Sequence, residues 1–234
     1  GASLTKFDVV VANPPFSLDK WGAENAENDR FGRFWRGVPP KSKGDWAFIT
    51  HMIEAAKTRE GRVAVVVPHG VLFRAGKEGI IRKAVIEENL LDAVIGLPAN
   101  LFQTTTIPVA VLLFDRRREK GGALADRRDV YFIDASRDFQ QGKNQNQLLD
   151  SHVDRIISAL AAREDVERYA RTVPVDEVKE NGFNLNIPRY VDTFEPAEEV
   201  DIAEVQKEID ALEDELTTLR ARMREHLKEL GLNG

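Results

Sequence analysis

Phe7-Asp8-Val9-Val10-Val11-Ala12-Asn13-Pro14-Pro15-Phe16 is the stretch on which the fold turns. An unbroken aliphatic run ends at two residues that cannot continue it. Neither proline has an N–H, both fix φ, and Asn13, standing before a proline, is held extended. So continuous an apolar run reads as a strand buried on both faces of a sheet. Three more runs have the same character: Arg62 to Val67, Leu90 to Leu97 and Ile107 to Phe114, each rich in Val, Ile or Leu and bounded by Pro, Gly or Asn. Helical spacing falls between them. Asp45 to Lys57 carries Trp46, Ile49, Ile53 and Ala56 with Asp45 as N-cap, and Glu78 to Glu88 carries Ile81, Val85 and Ile86. Strands alternating with helices predict an α/β fold. The fourth run follows the third with no room for a crossover helix, so it is antiparallel or reached by a loop.

Composition narrows the class. The 234 residues are 42% hydrophobic and 31% charged, with 33 Lys and Arg against 39 Asp and Glu, a net charge of −6. Such a chain is globular, and not a stand-alone basic nucleic-acid binder. Work on DNA remains open where another chain supplies cations. The absence of cysteine excludes disulfides, thiolate zinc sites and cysteine nucleophiles, and fits a cytoplasmic home. No apolar run reaches the ~18 residues of a membrane helix, and there is no secretory signal. The chain opens on Gly1-Ala2-Ser3 without Met and reads as a piece of a longer protein.

Ser17 to Gly44, with Trp21, Trp35 and Pro39-Pro40, is a long loop of the kind that carries function. Arg116 to Arg128 reads as an exposed connection, Val130 to Ile133 as a strand, and Gln147 to Ala162 as a helix with a Val153, Ile156, Ile157 and Leu160 stripe. Pro174, Gly182 and Pro188 then mark irregular structure. Asp201 to Leu230 is the clearest helix: Val205, Ile209, Leu212, Leu216, Leu219 and Met223 form a heptad seam, acidic early and basic late as the helix dipole favours. The seam needs a second helix, from this chain or from a partner. No other segment here has a seam as long.

The chemistry concentrates at Asn13 to Phe16. Ligands of open α/β sheets bind beyond the carboxyl ends of the strands. There the Asn13 carboxamide oxygen and the Pro14 carbonyl offer two fixed acceptors, suited to a planar amino group with two N–H donors, and Phe16 offers a face for stacking a base. The exocyclic amine of adenine is a weak nucleophile because its lone pair is delocalised into the ring. Two acceptors on its hydrogens draw it toward tetrahedral geometry, so that it attacks an electrophilic methyl in line, without a charged base. The base leaves the duplex to reach such a pocket. A plain turn after a strand is the bland reading of the same residues.

Residues 7 to 16 resemble motif IV of the amino-methylating DNA methyltransferases. Gly61 to Phe73, Ile86 to Pro98, Thr106-Ile107-Pro108 and above all Phe183-Asn184-Leu185-Asn186-Ile187-Pro188-Arg189-Tyr190-Val191 narrow the resemblance to the modification (methyltransferase) subunit of type I restriction–modification systems. It spans nearly all of residues 4 to 230. It implies the C-terminal part of a Rossmann-like, S-adenosylmethionine-dependent sheet over residues 4–140, a helical and irregular connecting region over 141–200, and an assembly helix of coiled-coil type over 201–230.

The resemblance implies Asn13, Pro14, Pro15 and Phe16 as the catalytic, adenine-binding motif. S-adenosylmethionine is the implied cofactor of the complete protein, and its glycine motif precedes Asn13 in the family and is absent here. The implied partners are DNA, a specificity subunit and a motor-nuclease restriction subunit. Pro68, His69 and Thr106 are candidates for lying near the substrate, and His69 has no second ligand at metal spacing. Lys41 and Lys43 are candidate phosphate contacts, although solvated loop charge is the better account of them. The seam residues are the candidate partner interface, or the site of self-association. Rival readings are an Asn-Pro-Pro methyltransferase acting on a protein glutamine or an RNA base, and a non-catalytic interaction module. A purely structural coiled coil is contradicted by the buried strands.

Overall fold

Along β2 (Arg62–Pro68), Val63, Val65 and Val67 point to one face and Ala64 and Val66 to the other, as the two-residue period of a strand dictates. The first set is sealed beneath helices and the second is only half-buried. A computed structural model of the chain describes residues 3–102, 105–193 and 202–231. It falls into two units, residues 1–193 and 194–234.

The first unit is built on one six-stranded sheet: β1 (Val9–Ala12), β2, β3 (Leu91–Gly96), β4 (Val109–Asp115), β5 (Asp129–Asp134) and β6 (Ala170–Pro174), in the order β1-β2-β4-β3-β5-β6. β1 runs parallel to β2, and β3 parallel to β5. β4 lies antiparallel between β2 and β3, which answers the missing crossover in the sequence. β6 closes the far side antiparallel to β5.

α1 (Asp45–Ala55), α2 (Gly70–Phe73), α3 (Lys77–Glu87), α5 (Val175–Glu180) and the turn Ile187–Arg189 cover one face. Trp46, Ile49, Ile53, Ile81, Val85, Val178 and Ile187 form the core there with Val63, Val65 and Phe132. On the other face Ile95, Tyr131 and Ile133 pack with Ile156 of α4 (Asp150–Ala162) and with Tyr169.

Five expectations need correcting. β1 is not buried on both faces: Val9 is 53% and Val11 69% exposed, because β1 is an edge strand whose outer face no described residue covers. Asp45 does not cap α1. Gly44 holds the cap position, and the Asp45 carboxylate is taken by Ser17 and Arg74. The start of the Arg116 to Arg128 connection is not exposed, since Arg116 and Arg118 are buried. Arg116 donates to the carbonyls of Ile53 and Ala56 at the end of α1, while Arg118 reaches the Asp92 carboxylate, the Asn89 side chain and the Asp129 carbonyl. Only Ile156 of the α4 stripe is buried, and Val153 and Ile157 face outward. The region that Pro174, Gly182 and Pro188 marked as irregular contains the end of β6 and the whole of α5.

The second unit holds α6 (Ile202–Glu229), one continuous helix. Within it Val205, Ile209, Leu212, Leu216, Leu219 and Met223 are all exposed. Asp201 lies outside the described residues. No described helix is long and apolar enough to cross a membrane.

Candidate functional site

Parallel pairing sets the site. With Ala12 opposite Val65, the carboxyl ends of β1 and β2 lie at the same edge of the sheet. β1 runs into Asn13-Pro14-Pro15-Phe16. Asn13 and Pro15 are exposed, whereas Pro14 and Phe16 are half-buried. The Phe16 ring turns into an apolar cluster with Val66 and Leu101 and meets Phe102 edge to face, centroids 5.7 Å apart and planes at 86°.

β2 ends at Pro68, opposite Val109 where the antiparallel β4 begins. The His69 amide donates to the Pro108 carbonyl at 3.4 Å, and the Thr106 carbonyl accepts from the Asn100 amide at 3.3 Å. The sequence candidates Asn13 to Phe16, Pro68, His69 and Thr106 therefore share one edge; of the three successive hydroxyl residues Thr104-Thr105-Thr106 ahead of β4, Thr104 lies outside the described residues. Burial holds the His69 imidazole below its usual pKa, and its Nε2 is buried without a partner. Among the described residues no three His, Cys, Asp or Glu side chains converge as a metal site would require. The polar stretch Asn144 to Gln147 is laced to the same region: the Asn146 amide donates to the Asn100 carbonyl, and Gln145 Nε2 to the Leu101 carbonyl. A cavity of about 510 Å³ opens there, lined by Val66, Leu101, Phe102 and Gln147 among others.

Lys41 stands exposed in the long loop. Lys43 is half-buried, and its charge acts on the Glu78 carboxyl. Neither is placed among the residues of the Asn13 edge by any contact.

Sequence reading missed the group directly behind the Asn13 turn. Ser17 follows Phe16 with a left-handed φ of 49°. Its amide donates to Asp45 Oδ1 at 2.7 Å, and its hydroxyl to Asp45 Oδ2 at 3.3 Å. Arg74 Nη1 donates to Asp45 Oδ2 at 2.9 Å and to Glu78 Oε1 at 3.0 Å, and Arg74 Nη2 to Ser17 Oγ at 3.2 Å. Asp45 and Glu78 are both buried. Burial is the main cause that raises the Glu78 pKa, opposed by Arg74 and reinforced by the Asp45 charge. Behind Arg74, Arg82 donates to the carbonyls of Arg74, Val71 and Phe183, and the Leu185 amide donates to the Leu72 carbonyl. The Phe183 to Val191 stretch thus buttresses the α2–α3 turn.

The structure is an open-edged α/β sheet that carries an Asn-Pro-Pro-Phe turn at the carboxyl edge of its first strand pair. The N-6 DNA methylase family model matches residues 2–199, and the chain belongs to that family. It is 32% identical over 227 residues to the type I restriction enzyme MpnII methylase subunit of Mycoplasma pneumoniae, covering 96% of this chain and 40% of that protein. It is 34% identical over 217 residues to the MjaVII methylase subunit of Methanocaldococcus jannaschii, covering 88% of this chain and 36% of that one. The crystal structure of a type I restriction-modification methyltransferase subunit from Streptococcus thermophilus superposes with a TM-score of 0.73 at 48% identity, over 81% of this chain and 39% of that one. The fold is a mixed six-stranded α/β sheet that superposes on part of such a subunit, and the chain spans about 40% of the length of the curated relatives it matches.

Proposed function

We propose that the complete protein containing this chain is a DNA methyltransferase acting on the N6 of adenine, as the modification subunit of a type I restriction–modification assembly. The observation that carries this reading is the Asn13 to Phe16 turn at the carboxyl edge of a parallel strand pair, with Pro68 and His69 beside it. The Asn13 carboxamide oxygen and the Pro14 carbonyl accept the two amine hydrogens of a flipped adenine and raise the electron density on its nitrogen. Phe16, held by Phe102, supplies the aromatic surface for the base. His69, neutral in its buried setting, lines the same edge without adding charge.

S-adenosylmethionine supplies the electrophilic methyl when bound. Among the described residues no glycine-rich strand-to-helix turn of the kind that cradles such a cofactor faces this edge, so its pocket is assigned to the rest of the protein. The free side of β1 fits that assignment, since an exposed apolar edge invites further strands. Residues 4–140 then form the C-terminal half of the catalytic domain, 141–200 connect it, and 201–230 assemble it with the specificity subunit. That subunit reads the DNA, and a motor-nuclease subunit completes the restriction complex. The relatives' designation as subunits of restriction enzymes supports this arrangement.

The test is transfer of a labelled methyl group from S-adenosylmethionine by the complete assembly, offered an adenine-containing DNA duplex, an RNA and a glutamine peptide in parallel. Label on duplex adenine N6 alone is expected. Label on the RNA or the peptide, with none on DNA, overturns the reading.

A further inference from the structure

We propose that Asp45 and Arg74 are positioning residues that lock the Asn13 to Phe16 turn in its working geometry; this rests on the function proposed above. The prolines fix φ within the turn, but they supply no hydrogen bond that would tie the turn to the rest of the fold. Pro14 and Pro15 have no amide hydrogen, so the first backbone donors after Asn13 are those of Phe16 and Ser17. The Ser17 amide goes to Asp45 at 2.7 Å, a charge-assisted bond to a carboxylate that is only 3% exposed. Ser17 also holds a left-handed backbone, φ 49°, which a residue with a Cβ keeps only where its surroundings determine it. The Asp45 bonds do so.

Asp45 is itself held from the neighbouring strand. Arg74 bridges Asp45, Glu78 and Ser17, and its guanidinium lies over Gly70, two residues after Pro68 at the end of β2. One cation thus ties the turn after β1 to the turn after β2, the two segments between which the amine has to sit. Arg82 and the Phe183 carbonyl brace Arg74 from behind. Neither Asp45 nor Arg74 needs to touch substrate. A carboxamide acceptor works only when aimed, and a misplacement of about 1 Å costs on the order of 100-fold in rate.

Two readings test this. The first is hydrogen exchange at the Ser17 amide in the 234-residue chain, wild type against Asp45→Ala. Protection in the wild type, lost in the variant while the β2 and β4 amides stay protected, is expected. A Ser17 amide that remains protected in Asp45→Ala overturns the lock. The second is steady-state methylation by the complete assembly. Asp45→Ala is expected to lower kcat by about 100-fold with the KM for S-adenosylmethionine unchanged. Asp45→Asn, which keeps an acceptor for the Ser17 amide, is expected to recover at least tenfold of that loss. A folded Asp45→Ala protein with wild-type kcat refutes the positioning role. So does a loss that Asp45→Asn does not recover while Ser17 regains protection. A wild-type assembly that methylates nothing overturns the proposed function instead, and with it any catalytic purpose for the lock, whereas the exchange result still decides whether Asp45 holds the turn.

Discussion

Replacing Gly70 with alanine places a Cβ 2.4 Å from Arg74 Nε and 2.5 Å from Nη2. Gly70 begins α2 without a positive φ, so the backbone accepts alanine, and helix propensity alone favours the change by about 1 kcal/mol. The clash itself is cheap, because the guanidinium is the mobile end of a long side chain. What costs is where it has to go: moving it breaks the bonds to Asp45, Glu78 and Ser17. Stripping the cation from a buried pair costs about 3–5 kcal/mol. The lower end applies, since the Arg74 side chain is 20% exposed and stays near both carboxylates after moving. Set against the propensity gain, the net loss is about 2 kcal/mol, or roughly 4–8 °C in Tm for a chain of this size.

Thermal and urea unfolding of the chain at pH 7 measure that loss, and a double-mutant cycle assigns it. In an Arg74→Ala background the clash has no partner, so Gly70→Ala is expected to be neutral or stabilising by up to about 1 kcal/mol. An equal loss in both backgrounds refutes the reasoning, because the cost would then not run through Arg74.

The other predictions concern a proton and the tail. Burial depresses the His69 pKa, so the folded chain holds this imidazole neutral where the unfolded chain protonates it; stability present above pH 6.5 falls as pH drops below 6.5 toward the folded value. An NMR titration should put the His69 ring midpoint below 6.5, and a midpoint at or above 6.5 contradicts the buried setting. His51, depressed by burial and by Arg33, adds to the same acid limb, so the midpoint is read residue by residue. Leu212→Asp with Leu216→Asp should leave the sheet unit folded by circular dichroism and abolish capture by the specificity subunit; undiminished capture would show that the seam does not mediate assembly.

Where a signal was local, the sequence carried it. The four apolar runs became β1 to β4 within one to two residues at each end, because β-branched runs between Pro, Gly and Asn have few other outcomes. The Asn13 turn was readable because four consecutive residues make it. What failed was long range. Ser17 lies 28 residues from Asp45 and 57 from Arg74, so their meeting leaves no pattern along the chain. Asp45 before a helical run looks like a cap until Ser17 and Arg74 claim its carboxylate. Three successive arginines look like solvated charge until Asp92, Asn89 and the end of α1 supply acceptors. β6, Ala170 to Pro174, has little apolar period of its own and is a strand because β5 offers it an edge.

The most direct test of the central claim is the rate of adenine-N6 methylation by the complete assembly carrying Asn13→Ala, measured under single turnover with duplex DNA and S-adenosylmethionine saturating. Asn13 is exposed at the rim of the site and supports no core packing, so the variant should fold and bind DNA as the wild type does while methyl transfer is abolished. Methyl transfer at near the wild-type rate would contradict the account.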